Sequence, residues 1–130
     1  MDERIGFFFR KPRFPLLLDT GEELIALRTP KECDTILSQL ALTGEARHVI
    51  DARVEGFAYH PDQRTISPLS LKKVWTKAEI VTLYEARKRP GAPAYTRSLP
   101  ARKLPEVMAD IVALVVAERP RRGRVRPDSV

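Results

Sequence analysis

Two histidines are the first side chains to weigh for chemistry. His60 stands two residues before Asp62, and an imidazole beside a carboxylate is the elementary acid–base pair. The same stretch, His60-Pro61-Asp62-Gln63-Arg64, is also turn chemistry, since Pro fixes φ and Asp can bond its own backbone, and the turn is the reading these residues favour. His48 lies twelve residues before His60. On one continuous strand the two would be separated by about 40 Å at roughly 3.3 Å per residue, so they share no metal unless the chain folds back. Cys33 falls on an apolar stripe and reads as a small buried hydrophobe, because a reactive thiol needs an exposed, electropositive setting. Asp51 and Glu55 flank Arg53 and read as surface charges paired across strands. The chain has no Gly-rich phosphate loop, metal-ligand spacing or nucleophile elbow. Catalysis, as a small hydrolase or nuclease using His60, is therefore the weakest function class, and neither cofactor nor metal is expected.

Cationic chemistry is better represented. The chain carries a formal net charge of +6 and has a pI near 9.8, unevenly spread. Residues 1–83 hold twelve basic and twelve acidic side chains, 84–105 six and one, 106–118 none and three, and 119–130 five and one. The candidate binding residues are accordingly Arg87, Lys88, Arg89, Arg97, Arg102 and Lys103 in a loop, with Arg119, Arg121, Arg122, Arg124 and Arg126 in the tail. Guanidinium groups pair with phosphate oxygens, and counterion release adds a salt-dependent drive that needs no fixed geometry. Tyr95, inside the loop, is a candidate for stacking on bases, whereas Tyr84 on the apolar face of a helix reads as core. The competing reading of such cations is a solvated surface that only keeps the domain soluble.

These residues must be positioned by recognisable elements. Thr29-Pro30-Lys31-Glu32 combines an N-cap, a proline in the first turn and a Glu that reaches back, so a helix begins at Pro30. Cys33, Ile36, Leu37 and Leu40 give it one apolar stripe, and Gly44 marks its exit after about Leu42. Leu24–Leu27 reads as a strand. Phe7–Phe9 and Leu16–Leu18 are strands confined to sheet edges by neighbouring prolines. From His48 to Tyr59 the apolar phase alternates and then switches at Gly56, which predicts one strand with a β-bulge. A hairpin over about 48–70 turns at His60–Arg64, with Pro68 at an edge or at the strand's end. Thr76 and Glu79 predict a capping box opening a helix over about 77–88, with Trp75 packed on Ile80 as a staple. A third helix runs over about 105–118, with Pro120 just beyond it, and is apolar around much of its circumference, which predicts burial in the core or against a second subunit. Between the last two helices, residues 89–104 form the basic loop, and the Arg-rich residues 119–130 are expected to be disordered alone.

The sum is an α+β architecture in one domain over 1–118 with a basic tail. A lone cysteine cannot form an internal disulfide, so a reducing, cytoplasmic setting is the default expectation. The longest apolar run, Val107–Ala117, is interrupted by Asp110 and falls short of the about 20 residues a spanning helix needs. Phe7-Phe8-Phe9 and Leu16-Leu17-Leu18 are too broken by charge and proline to be a cleaved signal. The expected function is non-catalytic binding, first of DNA or RNA by backbone contacts through the loop and tail. The alternative is a protein adaptor or inhibitor using a hairpin edge and Phe7–Phe9, since three adjacent phenylalanines cannot all face one core. A homodimer through the third helix is the further partner expectation.

Overall fold

The computed structural model describes residues 5–69 and 74–124, the last seven of these as backbone only. Its centre is a six-stranded mixed sheet built from β1 (Gly6–Phe7), β2 (Leu16–Asp19), β3 (Leu24–Leu27), β4 (Arg47–Ile50), β5 (Gly56–His60) and β6 (Thr65–Pro68) in the order β1-β6-β5-β4-β2-β3. Every neighbouring pair is antiparallel except β1 with β6. Helices α1 (Pro30–Leu40), α2 (Lys77–Arg87) and α3 (Leu104–Arg124) complete an α+β fold. None of the described helices is long and apolar enough to cross a membrane.

Alternation along the strands divides the interior into two clusters. Leu16, Leu18, Ile25, Leu27, Val49, Phe57, Tyr59 and Ile66 pack with Cys33 and Leu37 of α1 on one face. Leu17, Leu24, Ala26 and Ile50 pack with Ile80 and Tyr84 of α2 and with Val107, Met108, Ile111, Val112 and Val115 of α3 on the other. The apolar circumference of α3 is thereby accounted for within one chain. From Val107 to Val116 its large apolar residues are buried or half-buried, while Pro105, Glu106, Ala109, Ala113 and Ala117 face solvent.

Four boundaries depart from expectation. β2 is an interior strand between β4 and β3, because Pro15, joined to Phe14 by a cis peptide, lies just outside it and removes no ladder donor. Helix α1 ends at Leu40, where Ala41 takes the left-handed cap position at φ 50°, rather than running on towards Gly44. The phase switch at Gly56 is not a bulge: the chain reverses over residues 51–55, with Val54 at φ 66°, and starts a new antiparallel strand. Helix α3 continues through Pro120 to Arg124, so the expected stop there costs one backbone bond without ending the helix; residues 125–130 lie outside the described residues.

The reversal at 51–55 has a local cause. The Asp51 carboxylate, fully buried, accepts backbone N–H groups of Arg53 at 2.9 Å, Glu55 at 3.0 Å and Arg13 at 3.0 Å. It thus replaces the strand partners that this stretch gives up.

Candidate binding surfaces

The basic loop is held, residue by residue, against the helices that flank it. The Tyr84 hydroxyl donates to the Pro93 carbonyl at 2.7 Å, and the Tyr95 N–H donates to Glu85 at 2.8 Å. The Lys77 ammonium donates to the carbonyls of Leu99 and Arg102 at 2.7 and 2.9 Å. Three of the loop's side chains converge on Asp110, in the second turn of α3. Arg102 grips that carboxylate with two oxygens in reach, Nη2 donating at 2.8 and 2.9 Å and Nε at 3.2 Å. The Tyr95 hydroxyl donates to the same group at 2.7 Å, and Arg97 Nε lies 3.9 Å away.

Electrostatics follow from this geometry. Burial pushes the Asp110 carboxyl upward, but hydrogen bonds from Tyr95 and Arg102 and the charges of Arg102 and Arg97 outweigh it, so its pKa is lowered. The Tyr95 phenol is raised by burial and then by its bond to Asp110, and Arg102 is raised by its bond to the same carboxylate. Arg87 is matched in the same way: its Nε donates to Asp19 at 2.8 Å, tying α2 to β2 across 68 residues of chain, and its pKa is raised by that bond.

Of the sequence-predicted candidates, Arg97, Arg102 and Tyr95 are thus brought together, around a carboxylate that sequence reasoning did not single out. Arg87 is drawn away to β2. Lys88 closes α2, its N–H donating to the Tyr84 carbonyl at 2.8 Å, and Lys103 caps α3, its N–H donating to Glu106 at 2.8 Å. Arg119, Arg121, Arg122 and Arg124 are in the helical continuation of α3; Arg126 lies outside the described residues.

The amino-terminal aromatics form a different surface. Phe7 packs edge-on against Phe14 at 6.3 Å between centroids, beside the α1-face cluster. Phe8 is 55% and Phe9 94% exposed, their rings perpendicular at 6.4 Å. The Arg10 N–H donates back to the Phe8 carbonyl at 2.8 Å across Phe9, which has φ 69°. That is a γ-turn of the rare, strained hand, costing a bulky residue on the order of 1–3 kcal/mol. The segment after it is clamped: Arg10 pairs with the buried Glu55 and stacks its guanidinium 5.5 Å over the Phe57 ring. Next to it the Arg13 carbonyl accepts from Ala52 at 2.7 Å. Lys11 and Arg13, just after the aromatic pair in sequence, remain exposed.

The fold-back at 51–55 also changes the histidine geometry. His48 pairs with Ala58, and Ala58 with Ser67, so His48 and His60 are diagonal neighbours on one sheet face rather than opposite ends of a strand. His60 Nε2 lies 3.1 Å from Ser67 Oγ, while Asp62 instead accepts the Gly44 N–H at 3.4 Å. A hydroxyl and an imidazole in contact are two parts of a nucleophile system; His60 has no hydrogen bond to a carboxylate among the described residues to orient it. His48 stacks edge-on with Trp75 at 6.1 Å. No group of three or more metal-ligating side chains occurs among the described residues. Cys33 is fully buried, and burial pushes its thiol up to about 12, the condition of an inert core cysteine. Comparison of the chain with protein-family models, curated proteins and solved structures finds no match.

Proposed function

We propose that this chain is a non-catalytic adaptor that docks a protein partner through Phe8 and Phe9 at the β1 edge. One observation carries the reading: two large aromatic rings are held in solvent by a strained turn whose following residues are anchored by buried carboxylates. Folding gains little from such an arrangement, because Phe9 stays almost wholly in water and Phe8 more than half so. Binding gains from it, because rings fixed before encounter lose little entropy on contact, and aromatic anchors supply most of the energy of many interfaces. The exposed Lys11 and Arg13 follow the pair in sequence, and Arg53, half-exposed at 3.6 Å from Asp51, belongs to the same end of the sheet. The complementary surface is therefore an apolar pocket rimmed by carboxylates.

The test is affinity capture from nuclease-treated lysate of the source cells, comparing the wild type with the double substitution Phe8→Ser, Phe9→Gly and with a chain truncated after residue 118. The expected result is a protein retained by the wild type and the truncated chain and lost with the double substitution, while the substituted chain melts no lower than the wild type, since Gly relieves the strain at Phe9. Capture indifferent to the two phenylalanines overturns the proposal.

A second reading is favoured by the charge surplus of 84–105 and 119–130 and by Arg97, whose side chain is 60% exposed: backbone contact with DNA or RNA through the loop and tail. It requires binding at low salt that weakens steeply as salt rises.

A further inference from the structure

We propose that Asp110 gates nucleic-acid binding by the 88–103 loop: while it holds Arg102, Arg97 and Tyr95 it withholds the loop's guanidinium groups, and a phosphate backbone binds there by displacing it. The inference rests on the nucleic-acid reading and adds its regulation. Arg102 engages Asp110 as a fork, with two donors on two oxygens. A phosphodiester presents the same paired acceptors at nearly the same spacing as a carboxylate, so the carboxylate occupies the place a phosphate would take. Arg97, at 3.9 Å and largely exposed, is the contact most easily exchanged. Tyr95 adds a neutral bond to Asp110 at 2.7 Å, and freeing it would leave its ring available to stack on a base.

The loop's backbone does not depend on Asp110 alone. Lys77 holds the Leu99 and Arg102 carbonyls, Tyr84 the Pro93 carbonyl and Glu85 the Tyr95 N–H. Loss of Asp110 should therefore release side chains while leaving the loop's path in place.

A labelled duplex DNA of about 20 base pairs, titrated at several salt concentrations, reads the gate. Asp110→Asn should tighten binding by on the order of tenfold at low salt, and its logarithmic salt slope should steepen by about two, one for each guanidinium released. Tyr95→Phe leaves the net charge unchanged and weakens only the latch, so it should tighten binding in the same direction by less. Asp62→Asn, which removes one charge on the β5–β6 turn, where Asp62 meets Gly44 outside the α2–α3 cluster, should change affinity less than about twofold. Equal effects of Asp110→Asn and Asp62→Asn would sink the gate, since charge alone would then explain them. Wild-type binding as tight as that of Asp110→Asn, lost on truncation after 118, leaves the nucleic-acid reading standing and the gate rejected. No binding by any variant rejects both. Should Asp110→Asn lose its folded circular-dichroism spectrum, Tyr95→Phe decides: affinity equal to the wild type rejects the gate.

Discussion

Asp110 shows how much one side chain can organise. Its carboxyl is held below the ordinary value of 3.8 in the folded chain, so folding favours its ionised form. A group lowered in this way adds stability that is complete above its unfolded pKa and is lost as pH falls through the folded one. The urea midpoints of wild type and Asp110→Asn should therefore differ by a constant amount above about pH 5 and converge as pH drops below 3.8 towards the folded pKa. A gap that stays constant down to about pH 2 would show that the carboxylate's charge does not hold the loop. None of this was legible at the residue level in sequence. Segment counts placed three acids in the third helix and six cations before it, but which acid met which cation depended on how the loop folds back. The Arg87–Asp19 pair, 68 residues apart, lay further still beyond local reasoning. Cys33 and Tyr84 were legible, because burial at helical spacing is a local pattern.

Among the elements, starts were easier to read than stops. The N-termini of α1 and α2 announced themselves through side chains that satisfy nearby N–H groups: Thr29 accepts the Glu32 N–H at 3.1 Å, and Thr76 with Glu79 completes a reciprocal box at 3.1 and 2.9 Å. The end of α1 did not, because the left-handed cap falls on Ala41 rather than on Gly44. An alanine at φ 50° carries a steric cost that glycine lacks. Ala41→Gly should therefore stabilise the protein by about 0.5–1 kcal/mol, read as a raised urea midpoint with an unchanged slope. A lowered midpoint would mean that the alanine methyl contributes packing that outweighs its backbone strain. The central hairpin was legible at its second turn, where Pro61 and Asp62 supply ordinary turn chemistry. It was not at its first, since Asp51 reverses the chain with a carboxylate that period-two alternation disguises as a surface charge. That single misreading also stretched the distance between His48 and His60.

At the scale of the molecule, α+β class follows from the mixture of patterns, but strand order does not, and strand order determines how the two clusters are coupled. β2 sits inside the sheet and sends Leu17 to the α2–α3 face and Leu16 and Leu18 to the α1 face. Neither cluster can dissolve without baring a strand that the other needs, so the chain should unfold in one step. Two native reporters stand on opposite faces: Trp75, packed beside the α2–α3 cluster, and Cys33 of α1, buried against the sheet with its thiol at about 12. The fluorescence of Trp75 and the protection of Cys33 from a thiol reagent should be lost at the same urea concentration. Leu37→Ala removes volume only from the α1 face and should cost about 2–5 kcal/mol. If the sheet couples the faces, that loss moves the Trp75 transition as far as the Cys33 transition. A Trp75 midpoint that stays in place while Cys33 becomes reactive would instead make the two faces separate folding units, with β2 pairing surviving the loss of α1.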